Sequence, residues 1–253
     1  MPPPPPPPPP NAVARALAER LARVTADIER WRAQYGRAPG AVQLIAVGKL
    51  HTADKVAKLA KLGQRDFAEN YAQEGVEKIA RVAEQLTGRA APASADLRWH
   101  FIGHIQSRKC RQVAAHFDWV HSVDSLKVAR RLSGSRLGSA PLNVLIQVNL
   151  QGEASKHGVS EAELPGLAAA VAELPNLRLR GLMILPAAEE SPAKQRAVFA
   201  RCRAIRDELN AGGLALDHLS MGMSGDLESA IAEGATMVRV GTALFGPRPA
   251  ARD

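Results

Sequence analysis

Eight short apolar segments alternate with amphipathic segments along most of this 253-residue chain. Short runs rich in Val, Ile and Leu predict buried strands, whereas apolar residues spaced three and four apart predict helices. The predicted strands cover residues 42–48, 66–69, 97–102, 119–123, 142–149, 177–185, 217–221 and 236–241. Strands that alternate with helices favour parallel pairing through right-handed crossovers, and eight of them close into a (β/α)8 barrel. An open doubly wound sheet is the alternative, although no GxGxxG motif follows an early strand.

The predicted helices lie between these strands, at residues 54–62, 73–86, 107–116, 125–132, 161–173, 192–210 and 227–233. A further helix is expected before the first strand, with Asn11 as its N-cap and its end near Gln34. Residues 2–10 are all proline. Such a run is typical of a polyproline II segment that has no core. We therefore expect a disordered tail at 1–10 and a single barrel domain at 11–253.

Composition narrows the function classes. The net charge of +8 predicts attraction for anions such as phosphorylated small molecules. Only 4% of the residues are aromatic, which disfavours a stacking platform for nucleic acid. Two cysteines, Cys110 and Cys202, lack the spacing of a zinc site or a disulfide scaffold. Without a signal-peptide pattern or an apolar run long enough to cross a bilayer, a soluble cytoplasmic protein with no membrane or nucleic-acid partner is expected.

Strand parity indicates which side chains face the barrel interior. In 142–149 the even-numbered residues are all apolar, so the opposite face, which ends at Asn149, is expected to point inward. In 236–241, Val238 and Val240 are expected to face the helices and Arg239 the interior. Lys49 lies on the inward face of the first strand, at its carboxyl end, where barrel active sites are built.

Lys49 is therefore a candidate Schiff-base lysine, because a neutral amine held against apolar walls attacks carbonyl compounds. An ordinary strand-end lysine turned to solvent is the alternative. Arg239 keeps its charge when it is buried and so needs a partner. The sequence leaves two environments possible for Arg239, a ligand pocket and a structural ion-pair network.

The last third of the chain predicts an anion site. Ser220, Gly222 and Ser224 follow the seventh strand and precede a helix, and small residues there let backbone N–H groups and hydroxyls approach an anion. Gly241 and Thr242 follow the eighth strand and close the cradle from the other side. Loops after strands seven and eight are the usual phosphate position in such barrels.

Seven collinear motifs resemble the YggS/PROSC family of pyridoxal-phosphate homeostasis proteins. They are IAVGK at 45–49, FAENYAQE at 67–74, WHFIGHIQ at 99–106, NVLIQVN at 143–149, RGLM at 180–183, LSMGMS at 219–224 and MVRVGTALFG at 237–246. The resemblance spans about residues 40–248. It implies the barrel of alanine racemase without that enzyme's second domain, and covalent binding of pyridoxal 5′-phosphate (PLP).

The resemblance also implies site residues. Lys49 would form the Schiff base with PLP, and Arg239 would face its pyridine nitrogen. The remaining implied cofactor-binding residues are a pocket lining of Asn70, Asn149 and Met183 and a phosphate cradle of Ser220, Gly222, Ser224, Gly241 and Thr242. His104 and Lys156, on loops after strands three and five, have access to the same mouth, although a hydrogen-bonded loop histidine and a solvated lysine are the alternatives.

Four residues depart from the family pattern. Gly48 and Leu50 replace the serine and threonine usual around the lysine, Ala68 replaces a glycine, and Gly225 stands where an acidic residue is common. Loss of the hydroxyl at Gly48 predicts a lower affinity for the cofactor.

These features predict a monomeric, non-catalytic PLP carrier in PLP homeostasis, with PLP-dependent apoenzymes as recipients. Turnover is not expected, because Arg239 cannot supply a proton to the ring and the chain ends soon after the eighth strand, without the added domain that provides the second base in alanine racemase. A PLP-dependent amino-acid racemase is the first alternative. A barrel enzyme that acts on a phosphorylated sugar is the second.

Overall fold

A computed structural model describes the protein at residues 10–86, 96–153, 156–187 and 191–247. Apart from Pro10, the predicted proline tail lies outside these residues. The helix predicted to follow it begins at Pro10, two residues before the predicted first helical residue, which places Asn11 inside the first turn rather than at the N-cap. Proline fits there because the N–H groups of a first turn have no partner within the helix.

Eight parallel strands form a closed barrel in the described part of the chain, in the order β1 to β8 with β8 paired back to β1. Their bounds are β1 Gln43–Val47, β2 Asp66–Glu69, β3 Arg98–Phe101, β4 Trp119–Val123, β5 Leu142–Val148, β6 Leu177–Ile184, β7 His218–Ser220 and β8 Met237–Val240. The barrel prediction is confirmed, and the open doubly wound sheet is excluded because no edge strand remains.

Helices follow the strands, with α1 added before β1. They are α1 Pro10–Gln34, α2 Ala53–Lys61, α3 Ala72–Gln85, α4 Cys110–His116, α5 Leu126–Ser135, α6 Leu164–Ala172, α7 Pro192–Ala211, α8 Leu227–Ala232 and α9 Thr242–Phe245. A 3-10 turn, Ser107–Lys109, precedes α4, where the sequence predicts one continuous helix. The four-residue α9 is not predicted, since one turn carries no periodic pattern.

Two apolar clusters confirm the predicted parity. The larger cluster fills the layer between strands and helices and includes Val238 and Val240. The smaller one fills the barrel interior and draws Ile45, Leu145 and Met237 from three different strands. Side chains therefore alternate between the two layers, as barrel closure requires.

Both cysteines are buried in the outer layer. Cys110 and Cys202 are each 1% exposed. Burial raises the pKa of both thiols, that of Cys202 to about 12. Among the described helices, none combines the length and the apolar character needed to cross a membrane.

Candidate functional site

Lys49 lies in a tight turn just beyond β1. Gly48 donates its N–H to the Ala68 carbonyl at 2.9 Å, which extends the β1–β2 pairing, and His51 N–H closes the turn on the Gly48 carbonyl at 2.9 Å. Leu50 has a φ of 62°, a left-handed conformation that is uncommon for a non-glycine residue. Its N–H donates to Glu74 Oε1 on α3 at 2.8 Å, so a specific contact holds this unusual backbone in place.

A buried ion pair supports the turn from the helix side. Lys78 donates to Glu69 Oε1 at 2.7 Å, to the Gly48 carbonyl at 2.7 Å and to Glu74 Oε1 at 2.9 Å. Burial raises the pKa of Glu69 to about 7, against the opposing effect of the Lys78 ammonium. One cation on α3 thus fixes both the end of β1 and the end of β2.

Gly48 departs from the family pattern for a local reason. A Cβ at this position would lie 2.6 Å from Glu69 Oε1, closer than real contacts allow. The Glu69 carboxylate occupies the space into which a serine side chain would project. A hydroxyl cannot be restored here without moving the buried pair.

The Lys49 side chain is half-buried, with its Nζ 5.0 Å from the centroid of the Tyr71 ring. Within the described ranges, Nζ has neither a hydrogen-bond nor an ion-pair partner. A cation over an aromatic face is held weakly, by about 0.5–1 kcal/mol at an exposed site. The amine is thus positioned at the barrel mouth without being committed to an internal partner.

Asn70 lies between β2 and α3, next to Tyr71. Its Oδ1 is buried and accepts no hydrogen bond from any residue that the structure describes. The backbone here packs tightly, because a Cβ on Gly103 would lie 1.9 Å from the Asn70 carbonyl oxygen. A buried amide oxygen without a donor costs free energy unless a ligand supplies one.

Arg239 points into the barrel, as parity predicts, and is 3% exposed. Its Nη1 donates to Ser220 Oγ at 2.7 Å and its Nη2 to the Ile184 carbonyl at 2.9 Å. Burial lowers the pKa of Arg239 to about 10, with opposing effects of Asp226 and Cys202, so the guanidinium stays charged at neutral pH. Both recorded acceptors are neutral oxygens, which argues against the structural ion pair that the sequence left open.

The loop after β7 turns through a glycine in the left-handed region. Gly222 has a φ of 95°, and a Cβ there would lie 2.5 Å from the Ala230 Cβ on α8. Ser224 is exposed, whereas the Ser220 hydroxyl points away from solvent, into the barrel. The Met223 N–H donates to Asp226, whose pKa is raised by burial, so one amide of this loop is already occupied.

The loop after β8 lies beside the lysine turn. Gly241 packs beside the end of β1, where a Cβ would make an ordinary contact at 3.6 Å with the Val47 carbonyl oxygen. Thr242 begins α9 and is exposed. Strand register thus brings the Gly241 and Thr242 segment to the same mouth as Lys49.

Asn149 and Met183 lie on the neighbouring strand ends. The Asn149 side chain donates to the Glu153 and Lys156 carbonyls at 2.9 and 3.2 Å, which organises the loop after β5. Lys156 is held by Glu153 at 2.7 Å. Met183 is fully buried in the interior cluster and lies beside Ser220 in the strand register, so it belongs to the floor of the site.

Three groups that could hold a metal ion meet at the rim. His104, Asp124 and His157 bring ligand atoms within 4.8 Å of one another, and His104 Nδ1 lies 3.3 Å from Asp124 Oδ2. The two imidazoles are stacked, however, with centroids 3.7 Å apart and planes inclined by only 11°. No single position lies in the plane of both rings, where a metal bound to their nitrogens would have to be. This arrangement is a stacked pair that bridges the loops after β3 and β5.

Comparison with known proteins identifies the family. The sequence model described as alanine racemase, N-terminal domain, matches residues 20–249. A pyridoxal phosphate homeostasis protein of Pseudomonas aeruginosa is 52% identical over 233 residues, which is 92% of this chain and 96% of the relative. The chain belongs to the pyridoxal phosphate homeostasis protein family.

Solved structures agree with the membership of this family. PipY of Synechococcus elongatus, solved with PLP bound, is 38% identical, with a TM-score of 0.78 and coverage of 91% of this chain and 100% of PipY. An alanine racemase of Corynebacterium glutamicum is 17% identical, with a TM-score of 0.66 over 94% of this chain and 62% of the racemase. The second likeness shows the fold alone.

Three features at the barrel mouth of this chain are compatible with PLP, the cofactor after which the family is named. Within the described ranges, an amine without a partner and a buried amide oxygen without a donor lie at the mouth, and Gly225 in the β7 loop has open space where a Cβ would be. Sequence reasoning missed the buried side chains behind them, Glu69 and Lys78 on the helix side and His100 and His121 inside the barrel. For Glu69, His100 and His121 the available signal is a polar residue within a predicted buried strand; Lys78, on α3, has no comparable signal.

Proposed function

We propose that this chain binds PLP through the Lys49 amine, protects the cytoplasm from the free aldehyde and delivers the cofactor to PLP-dependent apoenzymes. The observation that carries the proposal is the geometry of Lys49, an amine at a barrel mouth with no internal partner in the described ranges and its backbone fixed by Glu74 and Lys78. The names of the relatives and the PLP-bound PipY structure support it.

The other mouth residues then have complementary tasks. Asn70 Oδ1 accepts a hydrogen bond that it lacks in the described structure, and Asn149 shapes the β5 loop. Gly222, Ser224, Gly241 and Thr242 provide backbone and hydroxyl donors for the phosphate. Cradles of this kind bind anions because N–H groups converge on them.

Arg239 makes the carrier function preferable to catalysis. Bound PLP acts as an electron sink, most strongly when an acidic partner keeps its pyridine nitrogen protonated. Arg239 donates hydrogen bonds, but with a pKa of about 10 its guanidinium keeps its proton at neutral pH and does not transfer it to the ring nitrogen. We propose that the protein holds and releases PLP as a monomer without sustained turnover.

Borohydride reduction tests the attachment site. The purified protein should be yellow, and peptide mapping after reduction should place the pyridoxyl group on Lys49. Lys49→Ala should abolish the adduct, whereas Lys156→Ala, the matched control at the same mouth, should keep it. An adduct confined to Lys156 would overturn the assignment.

Comparison of PLP with pyridoxal tests the cradle. Each charge-assisted hydrogen bond contributes roughly 1.5–3 kcal/mol, so loss of the phosphate should weaken binding by several orders of magnitude. Equal affinities for the two compounds would refute the anion site.

An amino-acid racemase is the second candidate, favoured by the shared barrel. Incubation of the loaded protein with single enantiomers of amino acids in D₂O distinguishes the two. Fast α-deuterium incorporation that Lys49→Ala abolishes would establish an enzyme.

A further inference from the structure

A continuous chain of hydrogen bonds crosses the barrel interior. Arg239 Nη1 donates to Ser220 Oγ at 2.7 Å, and Ser220 Oγ lies 2.8 Å from His121 Nδ1. His121 Nε2 lies 2.9 Å from His100 Nδ1, and His100 Nε2 lies 3.1 Å from Asp66 Oδ1. All five side chains are buried, and both imidazoles are fully inaccessible. The chain connects the β8 arginine near the mouth with the first residue of β2, at the opposite end of the barrel.

Both ends of this chain force its direction. A guanidinium only donates, whereas an ionised carboxylate only accepts. His100 Nε2 must therefore carry the proton that bonds Asp66, which leaves its Nδ1 as an acceptor for His121 Nε2–H. His121 Nδ1 is then an acceptor, and the Ser220 hydroxyl is the donor that faces it.

The protonation states agree with this direction. Burial lowers the pKa of His100, against the opposing effect of Asp66, and lowers that of His121 well below its ordinary value, so both rings are neutral at pH 7. Burial would raise the pKa of Asp66, but the hydrogen bonds from His100 and Arg98, together with the charge of Arg98, outweigh this effect and hold that pKa below its usual range. Arg98 also pairs with the Asp66 carboxylate through Nε and Nη2, at 2.6 Å each.

We propose that Asp66, His100, His121 and the Ser220 hydroxyl are positioning residues for Arg239, forming a one-directional hydrogen-bond chain that fixes the guanidinium facing the cofactor ring. This inference rests on the proposed function for the identity of the ring. It also reassigns one predicted ligand, because the Ser220 hydroxyl is committed to the chain and so is not a donor to phosphate.

The hydrogen-bond chain explains how Arg239 is held although it pairs with no carboxylate of the described residues. The Ile184 carbonyl fixes Nη2, and the Ser220 oxygen fixes Nη1. Since the Ser220 proton is directed to His121, its oxygen lone pairs face Arg239. A fully satisfied buried network of this kind rigidifies its members, whereas removal of one link leaves a buried donor or acceptor unpaired.

Nuclear magnetic resonance of the ligand-free protein tests the direction without any cofactor. Long-range 1H–15N correlation of 15N-histidine-labelled protein at pH 7 should show His100 and His121 protonated on Nε2 alone. A proton on Nδ1 of either ring, or on both nitrogens of one ring, would overturn the proposal. Because this readout needs no PLP, it stands even if the proposed function fails.

Binding of two ligands by Ser220→Ala tests the role of the hydroxyl. If it belongs to the chain, affinity for PLP and for pyridoxal should fall by the same factor, about tenfold for one broken buried link. A loss confined to PLP would make Ser220 a phosphate ligand and overturn the reassignment. Ser133→Ala, which also removes a buried hydroxyl but on α5, is the matched control and should leave both affinities unchanged.

His121 provides the rescue test. His121→Leu should weaken PLP binding by about tenfold and shift the absorption band of the bound cofactor, because Arg239 loses its fixed orientation. His121→Gln keeps one acceptor and one donor, and should restore the band and most of the affinity. Equal losses in the two variants, with the band unmoved in both, would show a purely packing role. Absence of PLP binding by the wild-type protein would instead refute the proposed function.

Discussion

Two buried groups of charged side chains lie on opposite faces of the same barrel wall. Inside the barrel, the hydrogen-bond chain that begins at Asp66 ends at Arg239, the residue proposed to face the cofactor ring. Outside, between β2 and α3, Lys78 and Glu69 lie behind the turn that carries Lys49. Each group thus supports one of the two residues on which the proposed function depends.

The two groups differ in how completely they are satisfied. Every link of the interior chain has one donor and one acceptor. On the helix side, Glu69 Oε2 is buried and has no donor among the described residues, and Lys78 is shared by three acceptors. The left-handed Leu50 belongs to the same region. The arginine is therefore held by a rigid framework, whereas the lysine rests on a strained one.

The difference between the two groups indicates which part of the site can change its conformation. A fully paired network resists change, because any move breaks a bond. The incompletely paired network around Glu69 has two protonation states of similar free energy, because the Glu69 carboxylate can gain a proton near neutral pH. We expect the barrel to hold the ring partner still and to allow movement at the lysine.

Removal of the helix-side cation should have the largest effect. Lys78→Met leaves the Glu69 carboxylate buried without its partner, so the free energy of unfolding should fall by about 3–5 kcal/mol. Urea denaturation at pH 8 measures it. The double variant Glu69→Gln/Lys78→Met should recover at least half of the loss, and a loss below about 1 kcal/mol in Lys78→Met would show that the pair contributes little.

The two groups should contribute slopes of opposite sign to the dependence of the unfolding free energy on pH. The pKa values of His100 and His121 are lowered in the folded state, so the unfolded chain binds more protons below about pH 6.5 and the free energy of unfolding falls as pH decreases there. Glu69 has a folded pKa of about 7, above its unfolded value, so its stabilising contribution is complete at low pH and is lost as pH rises through 7.

Two variants resolve these opposing slopes. His121→Gln should flatten the acid side of the stability profile, and Glu69→Gln should flatten the side between about pH 5 and 8. Each proton that is bound in only one of the folded and unfolded states changes the free energy of unfolding by at most about 1.4 kcal/mol per pH unit. Unchanged slopes in both variants would mean that neither group titrates differently on folding.

A methyl group at Gly48 should have an intermediate effect. Gly48→Ala places a Cβ against Glu69 Oε1 and should cost about 1–3 kcal/mol by overpacking, while weakening PLP binding through the displaced turn. Gly225→Ala, in an open part of the β7 loop, is the matched control and should stay within about 0.5 kcal/mol of wild type. If Gly48→Ala stabilised the protein, the Glu69 and Lys78 side chains would have moved aside without cost to make room for the Cβ.

The exposed rim should respond least. His157→Ala removes the stack on His104 and should change the free energy of unfolding by less than about 1 kcal/mol, because both side chains are solvated. His104→Ala also removes the contact with Asp124 and should cost slightly more, and the double variant should cost no more than His104→Ala alone. Additive losses would mean that the rings contribute through other partners.

The sequence predicts the fold well because strand alternation is a local pattern. The odd and even faces of residues 142–149 separate by polarity, and the same rule places Arg239 inside and Lys49 at the mouth. Helix ends at Asn11 and Ser107 deviate because they depend on a single residue.

The partners of buried polar residues are less predictable. His100 and His121 lie in apolar strands, which marks them as unusual, but the distance between β3, β4 and β7 side chains is set by barrel closure and not by local sequence. The sequence predicts Ser220 as a phosphate ligand, and only the three-dimensional structure places its hydroxyl 2.8 Å from His121 Nδ1, the contact on which the proposed reassignment rests.

The buried cysteines bear on the compatibility of the protein with its proposed cargo. An aldehyde adds reversibly to thiolates, so a protein that stores one is exposed to modification by what it carries. Here Cys110 and Cys202 are both inaccessible, and burial raises the pKa of Cys202 to about 12, which keeps it protonated. The sulfur nucleophiles are thus withdrawn into the outer layer, and the reactive amine at the mouth faces no competition from thiols of its own chain.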